Sequence, residues 1–223
     1  MSDSLPLIVA NLKANKTWNQ ISSWLDEVGP HSNSFSGTVI ICPSPAFLAS
    51  SNEKIKSVNF KIKLASQDIS RFPEGAYTGE LAASQIADFC QYTIIGHSER
   101  RQYFQENDQI LTQKVQNAKE AGLEPIFCIQ DSQTEIPEGI KIVAYEPVFA
   151  IGTGILDTPE NARNVAKLVK QKGKFSVIYG GSVSNENTKE FIQKDIIDGV
   201  LVGTASLDPK SFIEIIKAAG SNY

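Results

Sequence analysis

Three polar side chains stand where short apolar runs end, and their types suit proton transfer beside a bound anion. Glu146 closes an apolar run next to Pro147. A carboxylate partly withdrawn from water there binds its proton more tightly than a free one and suits a general base. His97, one of two histidines, opens a helix whose N-terminal partial charge disfavours further positive charge. A neutral imidazole that donates a hydrogen bond is therefore expected. Lys13, just past the first apolar run, can aim a fixed ammonium at developing oxyanion charge, with Asn11 beside it. Each also has an ordinary reading: a strand-end ion pair, a helix-terminus histidine, a solvated lysine. His31, in the polar stretch 29–37, reads as a loop residue.

Glycines supply the anion's seat. Gly152-Thr153-Gly154, Gly180-Gly181-Ser182 and Gly203 let backbone N–H groups approach an anion closely, because no Cβ stands in the way. Taken singly, each reads more simply as turn chemistry. Their joint placement after late strands makes the phosphate reading stronger.

The elements that must position these groups follow from local patterning. Short β-branched runs alternate with helical periodicity along the whole chain, the pattern of parallel strands joined by crossover helices. The spacing predicts strands over 7–11, 38–42, 61–64, 92–95, 124–129, 141–144, 176–179 and 199–202. Helices are predicted over 18–28, 79–89, 106–121, 158–172, 185–193 and 209–219, the last two opened by Ser184 and Asp208 as N-caps. The crossover after Cys42 has no clear pattern.

Eight units of about 28 residues suit a closed (β/α)8 barrel, read as a single domain over 1–223. An open doubly wound sheet would call for a G-x-G-x-x-G turn after the first strand, which is missing. Only eleven residues separate Ile129 from Lys141, with Pro137 and Gly139 among them. That is close to the minimum for a crossover, so the fifth helix is predicted to be shortened or missing. In such a barrel the strands' C-terminal ends converge on one mouth, which brings Asn11, Lys13, His97, Glu146 and the glycine turns together.

Composition narrows the partners. With 21 Lys+Arg against 25 Asp+Glu, the formal charge of −4 provides no general field for nucleic acid or an anionic membrane. No apolar run approaches the roughly 20 residues that span a bilayer, and the first residues lack a basic-then-apolar leader pattern. Three widely spaced cysteines, Cys42, Cys90 and Cys128, suggest neither a disulfide framework nor a zinc site. The expected setting is a reducing cytoplasm.

Several strings are recognisable as they stand: N-L-K at 11–13, I-I-G-H-S-E-R-R at 94–101, A-Y-E-P-V-F-A-I-G-T-G at 144–154, Y-G-G-S-V at 179–183 and G-V-L-V-G-T-A-S-L at 199–207. The chain resembles the triosephosphate isomerases from about Leu7 to its final helix, with the strings in the expected order. The resemblance implies a TIM barrel that interconverts dihydroxyacetone phosphate and D-glyceraldehyde 3-phosphate in glycolysis and gluconeogenesis. It casts Glu146 as the base, His97 as the electrophile, Lys13 as the stabiliser of enediolate charge and Asn11 as an orienting group. Phosphate would rest on backbone N–H groups of Gly152, Ser182, Gly203 and Thr204, and Glu99 would position Lys13.

Residues 147–154, continuing to Asp157, resemble the family's lid, with Tyr179 and Ser182 as latch partners. Residues 75–80 resemble the loop that enters a neighbouring subunit, which places Thr78 near the partner's Asn11 and Lys13 and implies a homodimer. No metal or organic cofactor is implied. The sequence departs from the family at three places: Phe149 stands for tryptophan, Thr204 for glycine, and Gln130-Asp131 for a Gly-Glu pair. Phe149 has no indole N–H to donate. These departures and the short crossover motivate one alternative, a non-catalytic triose-phosphate-binding barrel that has lost turnover; Lys13, His97 and Glu146 weigh against it.

Overall fold

Valine and isoleucine run through the strands because their branched side chains pack well on a pleated surface. In the computed structural model, which describes residues 5–147 and 157–221, these runs form β1 (Leu7–Asn11), β2 (Thr38–Cys42), β3 (Lys63–Ser66), β4 (Tyr92–Ile95), β5 (Glu124–Ile129), β6 (Ile142–Tyr145), β7 (Ser176–Tyr179) and β8 (Gly199–Val202). They pair in sequence order, and β8 closes on β1 to give a parallel barrel.

Period-two alternation then sorts each strand into two faces. Leu7 and Val9 of β1, Ile142 and Ala144 of β6, and Ile178 of β7 fill the barrel interior. Ile8, Val143, Tyr145 and Tyr179 pack outward beneath the helices. Continuing the alternation by two residues puts Asn11 and Glu146 on the inner side, at the barrel mouth.

The helices are α1 (Trp18–Ser34), α2 (Leu48–Ser57), α3 (Ala83–Ala87), α4 (Ser98–Tyr103), α5 (Asp108–Glu120), α6 (Pro159–Lys172), α7 (Thr188–Phe191) and α8 (Pro209–Gly220). A 3-10 turn, Pro45–Phe47, leads into α2 and completes the second crossover. Asp208 caps α8 as expected, its carboxylate accepting from the Ser211 N–H at 2.9 Å.

Several boundaries differ from the sequence reading. β3 begins two residues later than expected and ends on Ala65 and Ser66, whose small side chains carry little strand signal. Ser66 earns its place by pairing with Thr93 on β4 at 2.8 Å. β6 is likewise displaced by one residue. α1 runs on through Gly29-Pro30 to Ser34, so His31 lies in its last turn and not in a loop. The Phe60 ring packs where a Cβ on Gly29 would stand, 2.4 Å away, so tertiary contact holds the helix together across a local breaker. The helix expected over 79–89 contracts to α3, leaving Thr78, Gly79 and Glu80 exposed. The helix expected over 185–193 contracts to α7. Ser184 does not cap it: its carbonyl accepts from the Thr188 hydroxyl and N–H, while the Asn187 side chain accepts from the Ser184 N–H at 2.8 Å.

The fifth crossover contains no helix between β5 and β6. Asp131 organises it, one carboxylate oxygen accepting from the N–H groups of Gln133 and Thr134 at 2.8 Å each; those bonds hold its carboxyl below the usual range even against burial. Lys119 and Lys172 reach in from α5 and α6 to the carbonyls of Glu138 and Ser132. Ile136 and Ile140 close the shell beneath.

Barrel closure has a sharp steric requirement at Gly199. A Cβ there would lie 2.0 Å from the Leu7 carbonyl oxygen and 2.8 Å from its backbone nitrogen. Gly199→Ala is expected to destabilise the fold by about 3 kcal/mol, lowering the melting temperature by roughly 6–12 °C. A calorimetric scan checks this, and an unchanged midpoint would contradict the closure seen here.

Candidate active site

The barrel mouth brings together residues that are far apart in the chain. Asn11, Lys13, His97, Glu146, Ser182, Gly203 and Thr204 line one cleft of about 1210 Å³. Lys13 donates to Glu99 at 2.5 Å. The Lys13 backbone is left-handed, with φ of +52°, a conformation that costs free energy for a residue with a Cβ. Two contacts hold it: its N–H donates to the Asn11 side chain at 3.0 Å, and its carbonyl accepts from Gln67 Nε2 at 2.8 Å. Gln67 also donates to the Cys42 carbonyl at 2.9 Å. Sequence reading missed Gln67; its only signal was its place just beyond a strand end.

His97 occupies the N-cap of α4, and its Nδ1 accepts from the Glu99 N–H at 3.2 Å. With Nδ1 assigned as the acceptor, Nε2 is the ring's N–H donor. Nε2 lies 3.1 Å from Glu146 Oε1. The other Glu146 oxygen accepts from the Ser98 N–H at 2.8 Å. Burial pushes the Glu146 carboxyl above the ordinary 4.5, against opposing pulls from His97, the Ser98 N–H and Lys13. Arg101, also missed by sequence reading, donates to the carbonyls of Gly96 and Cys128. It thereby fixes the turn before His97 to the end of β5.

The glycine turns line the same cleft, where a Cβ on Gly180 would stand 3.0 Å from Glu146 Cγ. Gly203 and Thr204 begin a 3-10 turn, Thr204–Ser206, which Trp24 anchors by donating from Nε1 to the Ser206 carbonyl at 2.8 Å. Thr204 has no positive φ, so its Cβ is accommodated without backbone strain and its N–H stays available. The Tyr179 ring packs outside the barrel, stacked on Phe191 at 4.0 Å, with its phenol against Gly181; the lid segment it was expected to latch lies mostly outside the described residues. Thr78 is exposed and does not line this cleft. Gly152, Phe149 and most of the lid-like segment lie outside the described residues.

A buried carboxylate, an imidazole and an ammonium lining one cleft with glycine turns have the chemistry to carry a proton between adjacent carbons of an anionic substrate. The model of the family described as triosephosphate isomerase matches residues 6–219. The chain belongs to that family. Among its relatives, the triosephosphate isomerase of Dictyoglomus turgidum is 37% identical, covering 95% of this chain and 98% of its own. That of Aquifex aeolicus is 35% identical, covering 94% and 98%. The crystal structure of triosephosphate isomerase from Bartonella henselae superposes with a TM-score of 0.82 at 27% identity, covering 96% of this chain and 98% of that one.

This triosephosphate isomerase family member also carries a partly buried ionic quartet beside α4, with Lys114 and Glu106 buried and Arg100 and Asp68 half-buried. Lys114 donates to both Asp68 oxygens at 2.7 Å and to Glu106 at 2.6 Å. Arg100 bridges Asp68 at 2.9 Å and Glu106 at 2.7 Å. Burial still pushes the Asp68 carboxyl up to about 6, against the pull of Lys114. The quartet floors a second hollow of about 660 Å³, which shares Asn11, Lys13 and His97 with the first.

Proposed function

We propose that Glu146, His97 and Lys13 carry out the isomerisation of dihydroxyacetone phosphate and D-glyceraldehyde 3-phosphate through an enediolate, the chemistry of glycolysis and gluconeogenesis. The chain is an aldose–ketose isomerase of the triosephosphate isomerase family. The observation that carries the residue assignment is the 3.1 Å approach of His97 Nε2 to Glu146 within the cleft that Lys13 shares.

Substrate carbonyl oxygen takes the place of Glu146 as acceptor for His97 Nε2–H, and the released carboxylate turns to the substrate. Glu146 removes a proton from the hydroxyl-bearing carbon, and the electron pair moves onto the carbonyl oxygen. Lys13 and Asn11 stabilise the resulting enediolate. His97 moves protons between the two oxygens, and Glu146 returns its proton to the neighbouring carbon. Backbone N–H groups of Ser182, Gly203, Thr204 and Gly152 hold the phosphate, so binding energy from the unreacting end orients the reacting one. No step needs a metal or organic cofactor.

A coupled assay starting from glyceraldehyde 3-phosphate tests this reading; tight substrate binding without turnover would favour the non-catalytic alternative. The acid limb is a second test. Glu146 must be ionised to accept a proton, and its pKa is raised, so kcat/KM is full above that pKa and falls tenfold per pH unit below it. The limb is expected above pH 4.5. A profile flat down to pH 4 would remove Glu146 from the role.

The active unit is a homodimer of single-domain subunits in the cytoplasm. The exposed loop around Thr78 is stiffened by Tyr77 stacked on Phe72 at 4.3 Å, with Arg71 over the Phe72 ring. The hollow beside Lys13 offers a socket for the same loop from a second copy, which places Thr78 near Asn11 and Lys13. Light scattering on the eluting protein reads the assembly. For the compartment, the buried free cysteines suit a reducing interior, and no helix among the described residues is long and apolar enough to cross a membrane.

A further inference from the structure

Gln130 is a polar residue of the cleft that the mechanism above does not use. It is half-buried and lines the cleft together with Glu146, His97 and Ser98. Glutamine stands here where the family's glycine would leave bare backbone. The sheet places it beside the base. Ile129 pairs with Tyr145 in the β5–β6 register, and the Glu146 N–H donates to the Ile129 carbonyl at 2.8 Å. Gln130 and Glu146 are therefore the next residues along two neighbouring strands, whose axes lie about 4.8 Å apart, within the reach of a glutamine amide.

The backbone of Gln130 is held while its amide is left over. Its N–H donates to Thr134 Oγ1 at 3.4 Å, and that hydroxyl donates to Asp131 at 3.1 Å. Arg101 grips the Cys128 carbonyl, two residues earlier, at 3.2 Å. The crossover without a helix thus begins on a fixed residue of the cleft. The Gln130 amide makes no hydrogen bond among the described residues. Other polar side chains of the cleft are engaged: Lys13 with Glu99, Arg101 with two carbonyls, and Asn11 with the Lys13 N–H.

Glu146 needs a further donor at one stage of the reaction. Its two oxygens lie against the Ser98 N–H and His97 Nε2. Substrate takes over the His97 N–H, and the carboxylate turns away from it. A buried carboxylate that loses a donor binds its proton more tightly and loses a fixed orientation. We propose that Gln130 is a positioning residue that donates from Nε2 to the Glu146 carboxylate in this turned position, leaving the second oxygen to take the substrate proton. An amide has two N–H donors to offer, and a carboxylate only accepts. The claim rests on the proposed role of Glu146 and gives the base a second docking point, used only with substrate bound.

The experiment compares Gln130→Ala, Gln130→Leu and Gln130→Glu with the parent protein. It is read by kcat and kcat/KM across the acid limb, by calorimetric titration with inorganic phosphate, and by melting temperature. The limb of kcat/KM reports the base in the free protein, and that of kcat reports it with substrate bound; the substrate's own ionisation is common to all variants. Gln130→Ala and Gln130→Leu are expected to lower kcat about five- to tenfold and to move its acid limb up by about one pH unit. The position of the kcat/KM limb and the phosphate affinity are expected to stay unchanged. The sign follows from the lost donor, which favours the ionised base, so a higher pH is needed without it. Gln130→Glu keeps the shape, removes the amide and adds negative charge, and is expected to move the same limb further. The titratable groups around Glu146 are His97, Lys13 and Cys128, with Glu99 behind the first two, and all remain in every variant.

A loss of kcat in Gln130→Leu with both limbs in place would make Gln130 a packing residue and overturn the proposal. So would an unchanged kcat and kcat limb in Gln130→Ala. If Gln130→Ala does not fold, Gln130→Glu decides by the same limb. An inactive parent protein would overturn the proposed function and this inference together, whereas an active parent with indifferent Gln130 variants would overturn this inference alone.

Discussion

Glu146→Asp is expected to lower kcat by ~10²–10⁴-fold while KM changes by no more than about threefold. The two oxygens of Glu146 are held by His97 at 3.1 Å and by the Ser98 N–H at 2.8 Å, and the backbone N–H is fixed to the Ile129 carbonyl at 2.8 Å. Removing one methylene draws the carboxylate back by roughly 1 Å from a base position defined to a few tenths of an ångström. The backbone cannot follow, because the bond to β5 holds it. The phosphate contacts proposed above are backbone N–H groups that the substitution leaves in place, so affinity is expected to be largely spared. A coupled assay gives kcat and KM, and exchange of the substrate's transferred proton with deuterated solvent reports directly on proton abstraction. Turnover within threefold of the parent would show that the base lies elsewhere.

Lys13→Met is expected to reduce kcat/KM by ~10²–10³-fold, the scale of losing one group aimed at developing negative charge. Here KM should rise as well, because the ammonium also lies close to the phosphate turn: a Cβ on Gly203 would sit 3.7 Å from Lys13 Nζ. Methionine keeps most of the apolar stem, and it meets the same left-handed backbone as lysine. The φ of +52° therefore contributes little to the difference. Glu99 loses its partner, but it is partly exposed, so water limits the penalty. Kinetics together with calorimetric titration of inorganic phosphate separate the two effects. A rise in KM with kcat unchanged would make Lys13 a substrate-binding group alone.

The two expected losses differ in kind because the groups differ in setting. Glu146 is buried, and its environment tunes its proton affinity, so geometry and pKa fail together when it is shortened. Lys13 remains a third exposed and acts as a fixed charge, so its removal is felt by every anionic form of the substrate. The departure at Thr204 is absorbed without strain, because the 3-10 turn needs no positive φ there. Asp131, standing for the family's glutamate, is engaged in its own loop turn, which holds together a crossover that has no helix.

The strands, the barrel and the polar residues at the strand ends were legible from the chain itself. Alternation of branched apolar residues is a local signal, and the inward parity that carries Leu7 and Val9 to Asn11, and Ile142 and Ala144 to Glu146, follows from it. The recognisable strings placed the base, the imidazole and the lysine in order. Helix ends were less legible. Gly29-Pro30 looked like a stop until Phe60 packed against it, and the stretch after Thr78 looked helical although only Ala83–Ala87 finds a packing surface.

Only the tertiary structure could decide which distant groups touch. Lys13 meets Glu99 across 86 residues and the Ser98 N–H meets Glu146 across 48, and no local rule predicts Gln67 holding the Lys13 carbonyl. Burial is likewise a property of the closed barrel, and it raises the Glu146 pKa. Sequence sets what each short segment prefers, because those preferences act between neighbours along the chain. Closure of the barrel sets proton affinities and partners, because water exclusion and contact exist only once all eight strands are in place.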